Sequence, residues 1–470
     1  MAKRRKILEN IEVTDTSSNG KGVGRFEDIV IFIDKVVPGD IVDVQVTRKK
    51  SSFYEGIPVS FKKESPLRID AFCDHFGVCG GCKWQNLSYE NQKKFKQKQV
   101  TDALTKIGKV EPKEVLPFIG AANTQYYRNK LEYTFSNNKW LTDDEIKSKE
   151  QIDERNALGF HIPKRFDKIL DIQHCYLQDT PSNEIRNTVR KFAIENEISF
   201  YDIKKQEGYL RNLIIRTSTT GDLMIIVITK GEITNDLKKL FELLINDFPQ
   251  ITSLIHMNNS KKNDAIYDLD FEVISGKDHI IEKLDNYKFK IGPKSFFQTN
   301  SKQALNLYNI TKDFADINEN DLVLDLYTGA GSIAIYISEK AKKVIGIETV
   351  ASAIENAKEN ATLNNIDNVD FHVGVIEKFF DDDFININGK PDIVITDPPR
   401  AGMHKNVIEQ LLKVEPKKIV YVSCNPATQA RDIELLSEKY VVTKSQAVDM
   451  FPHTSHVENV VLLVNSKNES

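Results

Sequence analysis

The spacing of apolar and polar positions divides the 470-residue chain into three stretches. Residues 1–63 read as strands alone. Ile29-Val-Ile-Phe-Ile33 is a short apolar run, and Ile41-Val-Asp-Val-Gln-Val46 alternates with the period of two that a half-buried strand requires. Pro38-Gly39-Asp40 between them is a turn signal. Gly20, Gly22 and Gly24 alternate ahead of the first run, which suits a tight bend or a close approach of two backbones. An all-β segment is the expected result.

Residues 64–275 read as mixed α+β. A basic amphipathic helix is expected from about Tyr89 to Ile107, with Lys93, Lys94, Lys96 and Lys98 on a solvated face. Lys130–Phe135, Leu213–Arg216 and Leu223–Ile228 are strand-like, and the polar stretch Asn137–Arg155 reads as an exposed excursion. From residue 276 onward apolar strands alternate with helical stretches such as Ala351–Asn364. The strands are Leu322–Leu326, Val344–Glu348, Asp392–Asp397, Lys418–Cys424 and a last one opening at Glu458. That alternation predicts an α/β domain built on a doubly wound parallel sheet, Rossmann-like in class.

Length and composition fit this division. The chain is long enough for two or three domains, and 28% charged with 40% apolar residues is ordinary for a soluble globular protein. No apolar run is long enough to span a bilayer, and the basic cluster Lys3–Lys6 is not followed by the apolar core of a secretory leader. A cytoplasmic protein is expected, as a monomer, since nothing calls for a protein partner. The net charge of −4 does not point to a polyanion. Local basic clusters at Lys3–Lys6, Arg48–Lys50 and Lys62–Lys63 still offer routes to RNA phosphates.

The five cysteines change the picture most. Cys73, Cys79 and Cys82 form a C-x5-C-x2-C cluster, Cys175 lies far downstream, and Cys424 stands alone after an apolar run. A disulfide framework is a poor fit to a long chain with few cysteines. Structural zinc sites tend to use two close cysteine pairs, and only one is present here. Three clustered thiolates and a remote fourth are how many [4Fe–4S] clusters are held, with zinc as the alternative. Gly80 and Gly81 would let the backbone wrap closely around a large inorganic body.

The C-terminal stretch carries the other candidate chemistry. Leu322-Val-Leu-Asp325-Leu-Tyr327-Thr-Gly329-Ala-Gly331-Ser332 is a strand, a glycine turn and a helix start. Glu348 ends the next strand, at the place where an acid suits a ribose diol. Asp397 and Cys424 fall at the carboxyl ends of later strands, where such sheets place their chemistry.

Phe296-Phe-Gln298-Thr-Asn300, Asp397-Pro-Pro-Arg400, Ser423-Cys424-Asn-Pro426 and Met450–Glu458, in this order, resemble the RNA uracil-C5 methyltransferase family. The N-terminal segment resembles a TRAM domain, a small β-barrel of OB-like character. With the cysteine cluster, the resemblance covers essentially the whole chain and is to the family's ribosomal-RNA type. It implies a TRAM-like RNA-binding barrel at 1–63, a central iron–sulfur domain at 64–275 and a class I S-adenosylmethionine-dependent methyltransferase domain at 276–470. It further implies that Gln298, Tyr327, Glu348 and Asp397 contact S-adenosylmethionine, and that Cys424 is the nucleophile and Glu458 the general base. Cys73, Cys79, Cys82 and Cys175 would hold a [4Fe–4S] cluster. The implied substrate is a uridine of 23S ribosomal RNA, with transfer RNA as the alternative. Ser332 departs from the asparagine the family often has there.

The chemistry explains the residue types. Carbon 5 of uracil is too weak a nucleophile to take a methyl group until a thiolate adds at its neighbour. A base must then remove the carbon-5 proton so that the thiolate can leave. The helix expected after Cys424-Asn-Pro would depress the thiol's pKa. Amino methylation of adenine also uses an Asp/Asn-Pro-Pro turn, but it follows the turn with an aromatic residue where this chain has Arg400, and it has no use for Cys424. An RNA-binding iron–sulfur sensor would leave Glu348, Asp397 and Glu458 unexplained.

Overall fold

The computed structural model describes residues 6–148, 152–379 and 382–468. Lys3, Arg4 and Arg5 of the basic N-terminal cluster, and part of the polar excursion, lie outside the described residues. Strands Ile7–Thr16, Gly22–Phe26, Ile29–Ile33, Ile41–Lys49 and Phe53–Lys63 close into a barrel, with the fifth strand between the third and the fourth. Leu8, Ile11, Val13, Ile31, Ile33, Val42 and Val44 fill it. The alternating glycines mark a close approach. A Cβ on Gly24 would stand 2.7 Å from the Glu12 carbonyl oxygen, and one on Gly22 would stand 2.8 Å from a Val13 methyl.

The central sheet has seven strands. It runs from Glu272–Gly276 through Ile251–Asn258, Leu223–Thr229, Leu210–Thr217, Lys130–Ser136 and Ala157–Ile162 to Arg165–Asp171. Only Leu223–Thr229 and Ile251–Asn258 pair in parallel, across the helix Asn235–Asp247. Every residue of Leu223–Thr229 is buried, which is why that strand reads as an unbroken apolar run.

The C-terminal sheet has eight strands, in the order Val369–Val373, Lys343–Glu348, Leu322–Leu326, Ile393–Thr396, Lys418–Ser423, Glu458–Asn465, Tyr440–Val448 and Glu114–Val115. The first five are parallel, as the pattern predicts. The sheet as a whole is mixed, contrary to the expected parallel one, because Glu458–Asn465 runs antiparallel to both neighbours. The connection from Tyr440–Val448 carries no helix, and a parallel neighbour needs a crossover of about a dozen residues or more.

Part of the chain ahead of residue 276 belongs to this C-terminal body. Glu114–Val115 forms its edge strand, and the helix Tyr89–Lys106 buries Val100, Ala103 and Leu104 against Tyr421, Ala430 and Ile433. That helix does not present all its lysines to solvent, as the pattern suggests. Lys96 is fully buried, and its ammonium lies 2.6 Å from a carboxylate oxygen of Asp449, itself fully buried. Lys96 also donates to the Phe451 carbonyl, at 3.0 Å. Among the described residues no helix is long and apolar enough to cross a membrane.

The segment from Asp449 to His456 ties the three bodies together. Its Ser455 hydroxyl donates to the barrel's Ser18 carbonyl, at 2.9 Å. The His453 carbonyl accepts from the amides of Lys83 and Trp84 beside the cysteine cluster. The His453 amide donates to Gln92 Oε1, at 2.8 Å, and Pro452 accepts from the Tyr127 hydroxyl. Asn300 and Gln303 donate to the carbonyls of Met450 and Asp449. Removing one partner of a buried ion pair strands the other and costs about 3–5 kcal/mol. Asp449→Ala is therefore expected to lower stability by about that amount in chemical denaturation, and Lys96→Met/Asp449→Leu to recover most of the loss.

Candidate active site

Strand register lines up the candidate residues along one edge of the C-terminal sheet. Leu326 pairs with Ile347 and with Thr396, so Glu348, Tyr327 and Asp397 follow at three adjacent carboxyl ends. Thr396 pairs with Tyr421, which sets Cys424 beyond the next strand's end. Ser423 pairs with Asn459 in the antiparallel direction, so Cys424 and Glu458 follow at adjoining strand ends, near enough for the Glu458 charge to act on the thiol. The row thus begins at the ribose-type acid and ends at the thiol and the buried acid.

Burial sets the electrostatics. Glu458 is 6% exposed. Desolvation first, and then the Asp397 charge, push its pKa up to about 8 against the pull of Arg400. Desolvation lifts Asp397 to about 7. Asp325, on the strand below, also rises to about 7 by desolvation, although its carboxylate accepts from Thr328 Oγ1 at 2.5 Å. The thiol behaves against expectation. Asn425 does cap the helix Pro426–Leu436 through the Ala427 amide, but Cys424 is pushed up to about 11. Burial is the main cause, Glu458 and Asp397 add to it, and Arg400 opposes it.

Arg400 is the positive charge that acts on both Cys424 and Glu458, a coupling that its place in the motif does not reveal. Its carbonyl accepts from Asn425 Nδ2 at 3.0 Å and from Thr428 Oγ1 at 3.2 Å. Arg431 donates to the next carbonyl, Ala401, and buried Asp432 accepts from the Met403 amide and the Tyr421 hydroxyl. The Asp397-Pro-Pro-Arg400 loop is thereby stapled to the helix that follows Cys424. The motif's position was the available signal; the charge coupling needed the fold.

At the other end of the row the glycine turn forms a cradle. Gly329 and Gly331 take φ of +56° and +79°, and a Cβ on Gly331 would stand 2.6 Å from the Phe371 ring. Tyr327 also holds a left-handed φ of +64°, which a bulky residue seldom adopts. One Glu348 oxygen accepts from the amides of Thr349 and Val350, and the other from the Gly329 amide at 3.3 Å. Gln298 is tethered through its carbonyl, which accepts from Asn129 Nδ2 at 2.9 Å. The Ser332 hydroxyl bonds the Tyr308 hydroxyl at 2.8 Å.

The four remaining cysteines meet around one cavity of 370 Å³, walled by Cys73, Cys79, Cys82 and Cys175. None of them is joined in a disulfide. Burial, and then the other cysteines' charges, push Cys79 up to about 12 and Cys82 to about 11, with a backbone hydrogen bond and a Gln85 side-chain hydrogen bond opposing respectively. A Cβ on Gly80 would stand 2.9 Å from the His161 carbonyl oxygen, so this loop does run close against the sheet. Among the described residues, no three His, Cys, Asp or Glu side chains are grouped to hold a single metal ion.

Known proteins share this plan. The tRNA (uracil-5-)-methyltransferase family profile matches residues 204–466, and the TRAM domain profile matches residues 7–59. An uncharacterized RNA methyltransferase of Bacteroides thetaiotaomicron is 55% identical over 452 residues, spanning 95% of this chain and 99% of that protein. One from Chlorobaculum tepidum is 38% identical over 465 residues, spanning 97% and 96%. The crystal structure of Pyrococcus abyssi tRNA (uracil-54, C5)-methyltransferase, in complex with S-adenosyl-L-homocysteine, superposes with a TM-score of 0.73 at 30% identity, covering 98% of this chain and all of that one. The chain is an RNA methyltransferase that belongs to the tRNA (uracil-5-)-methyltransferase family and carries an N-terminal TRAM domain.

Proposed function

We propose that the protein methylates carbon 5 of a uridine in RNA through a covalent bond from Cys424 to the uracil ring. The placing of Cys424 and Glu458 at adjoining ends of paired strands, with the Glu458 charge acting on the thiol, carries this reading. S-adenosylmethionine, held by Gln298, Tyr327, Glu348 and Asp397, supplies an electrophilic methyl group. Cys424 gives up its proton to solvent and adds as thiolate to carbon 6, and carbon 5 takes the methyl group as its bond to sulfur breaks and S-adenosylhomocysteine leaves. Glu458 then removes the carbon-5 proton, and the thiolate leaves with its electron pair, restoring the ring. Arg400 stands where it can offset the charge of the thiolate and carboxylates.

Cys424→Ala is expected to lower methyl transfer by at least about 1,000-fold while thermal unfolding stays near wild type. Glu458→Gln blocks the last step and is expected to accumulate a protein–RNA adduct on a denaturing gel; turnover without adduct would assign the proton to another group. Glu458 also links stability to pH. Its carboxyl ionises near 4.5 when unfolded and near 8 when folded, so the folded state binds more protons between those values. Stability present below about pH 4.5 is lost as pH rises towards 8. The thermal midpoint of Glu458→Gln should therefore gain on wild type across pH 5–8 in the ligand-free protein, and equal shifts at every pH would contradict the burial of this charge.

The four cysteines are proposed to hold a [4Fe–4S] cluster. One cavity carries all four thiols, and the fully buried Arg186 beside Cys175 keeps Nε and Nη1 without a hydrogen-bond partner among the described residues, which suits an anionic group nearby. Methyl transfer needs no electron, so the role assigned is structural or in recognition. Protein purified without oxygen is expected to be brown, with about four irons per chain, and Cys175→Ser to lose most of them. Stoichiometric zinc without iron would overturn the cluster.

The proposed substrate is 23S ribosomal RNA, on the resemblance of the barrel and cysteine segment to the ribosomal-RNA type. Transfer RNA is the second reading, favoured by the full-length similarity to the Pyrococcus abyssi enzyme. Mapping 5-methyluridine in both RNAs from cells lacking the protein separates them: the modification should vanish from 23S RNA on the first reading and from transfer RNA on the second.

A further inference from the structure

A second cavity, of 1010 Å³, opens between the central sheet and the start of the helix Ser301–Ala315. The uracil chemistry makes no use of it. Its walls are unlike a protein core. Asn123, Gln125 and Gln250 reach it from loops, and all three keep contact with solvent. Amide side chains offer donors and acceptors side by side, which is what the edge of an unpaired nucleobase presents. The acids on its wall are already engaged: Asp222 accepts from the Ile281 amide and Asp179 from the Thr180 amide. The cations on its wall, Arg128 and Lys302, are partly or fully exposed.

An aromatic group stands at its rim. Tyr126 is 37% exposed and holds a left-handed φ of +54°, a conformation a large side chain adopts only when its surroundings enforce it. Here they do. The Tyr126 amide donates to the Tyr176 carbonyl at 2.7 Å, and its hydroxyl bonds His174 Nε2 at 3.1 Å. The Tyr126 ring lies 6.0 Å from that of Tyr176, and the His174 ring lies 4.4 Å from Tyr176. A ring fixed from behind and left open to solvent is a stacking surface rather than a core element.

The cleft is also joined to the segment that carries Gln298. Asn129, on its wall, holds the carbonyl of Gln298 and the hydroxyl of Ser301. A strand lying in the cleft would run beside the segment that carries Gln298.

We propose that this cleft binds the unpaired RNA next to the target uridine, with one base stacked on Tyr126 and neighbouring base edges bonded by the amide side chains. The inference rests on the reading of the chain as an enzyme acting on uridine in RNA. Stacking on an aromatic ring is sequence-tolerant and strengthens single-strand binding by roughly tenfold or more per base. Shape and stacking, rather than groove readout, would then select an unpaired loop.

The test uses the full chain and a fluorescein-labelled ten-nucleotide oligouridine. Tyr126→Phe keeps the ring and loses the bond to His174, and should bind within about twofold of wild type. Tyr126→Ala should bind about tenfold more weakly, with S-adenosylhomocysteine affinity unchanged as the control for folding. A 5-iodouridine version of the oligonucleotide should crosslink to Tyr126 under ultraviolet light. Equal binding by Tyr126→Ala and wild type, equal losses in Tyr126→Phe and Tyr126→Ala, or crosslinks confined to other surfaces would each overturn the proposal. Tyr126-dependent binding by a protein that forms no 5-methyluridine would leave the cleft standing and remove the catalytic reading instead.

Discussion

The buried contact between Lys96 and Asp449 is the constraint on which the arrangement depends. A lysine and an aspartate are both taken wholly out of water, and the attraction between them is what makes that tolerable. The pair fixes the segment from Asp449 to His456 against the helix Tyr89–Lys106. That segment in turn touches the barrel, the cysteine loop, the central sheet and the helix Ser301–Ala315. It ends where the last strand begins, at Glu458. The position of the proposed base is thus set by the same joint that holds the bodies together.

Burial then does two opposite things at the site. It gives Glu458 a pKa near 8, high for a carboxyl and well suited to exchanging a proton near neutrality. The same burial keeps Cys424 a neutral thiol, at about 11, in the resting protein. A pair of carboxylates beside a sulfur is an unfavourable setting for a thiolate unless positive charge is brought in. Arg400 is the resident source, and its loop is anchored to the helix after Cys424 by Asn425 and Thr428. On the proposed mechanism, activation of Cys424 would draw on this stapled loop as well as on the helix terminus.

Much of this was legible in the residues. The glycine turn, the strand ends at Glu348 and Asp397, and the isolated Cys424 follow from periodicity and local motif, because each depends on a few neighbours in the chain. The all-β N-terminus was readable for the same reason, down to Gly22 and Gly24, whose missing side chains allow backbones to meet. What could not be read came from contacts between distant segments. Lys96 carries the same signature as its solvated neighbours Lys94 and Lys98, and only the fold sets it against Asp449. The antiparallel turn of the last strand and the capture of Glu114–Val115 by the C-terminal sheet are likewise tertiary choices. Tyr126 reads as an ordinary tyrosine until its backbone conformation and its partners are known.

The central claim is that Cys424 bonds to the pyrimidine while Glu458 waits to take the carbon-5 proton. RNA in which uridine is replaced by 5-fluorouridine tests it directly, because a base cannot remove fluorine as it would a proton. Incubation with this RNA and S-adenosylmethionine, followed by nuclease and protease digestion and mass spectrometry, should place a methylated fluorouracil on the peptide that contains Cys424. An adduct on another residue, or none at all while ordinary RNA is methylated at carbon 5, would contradict the account.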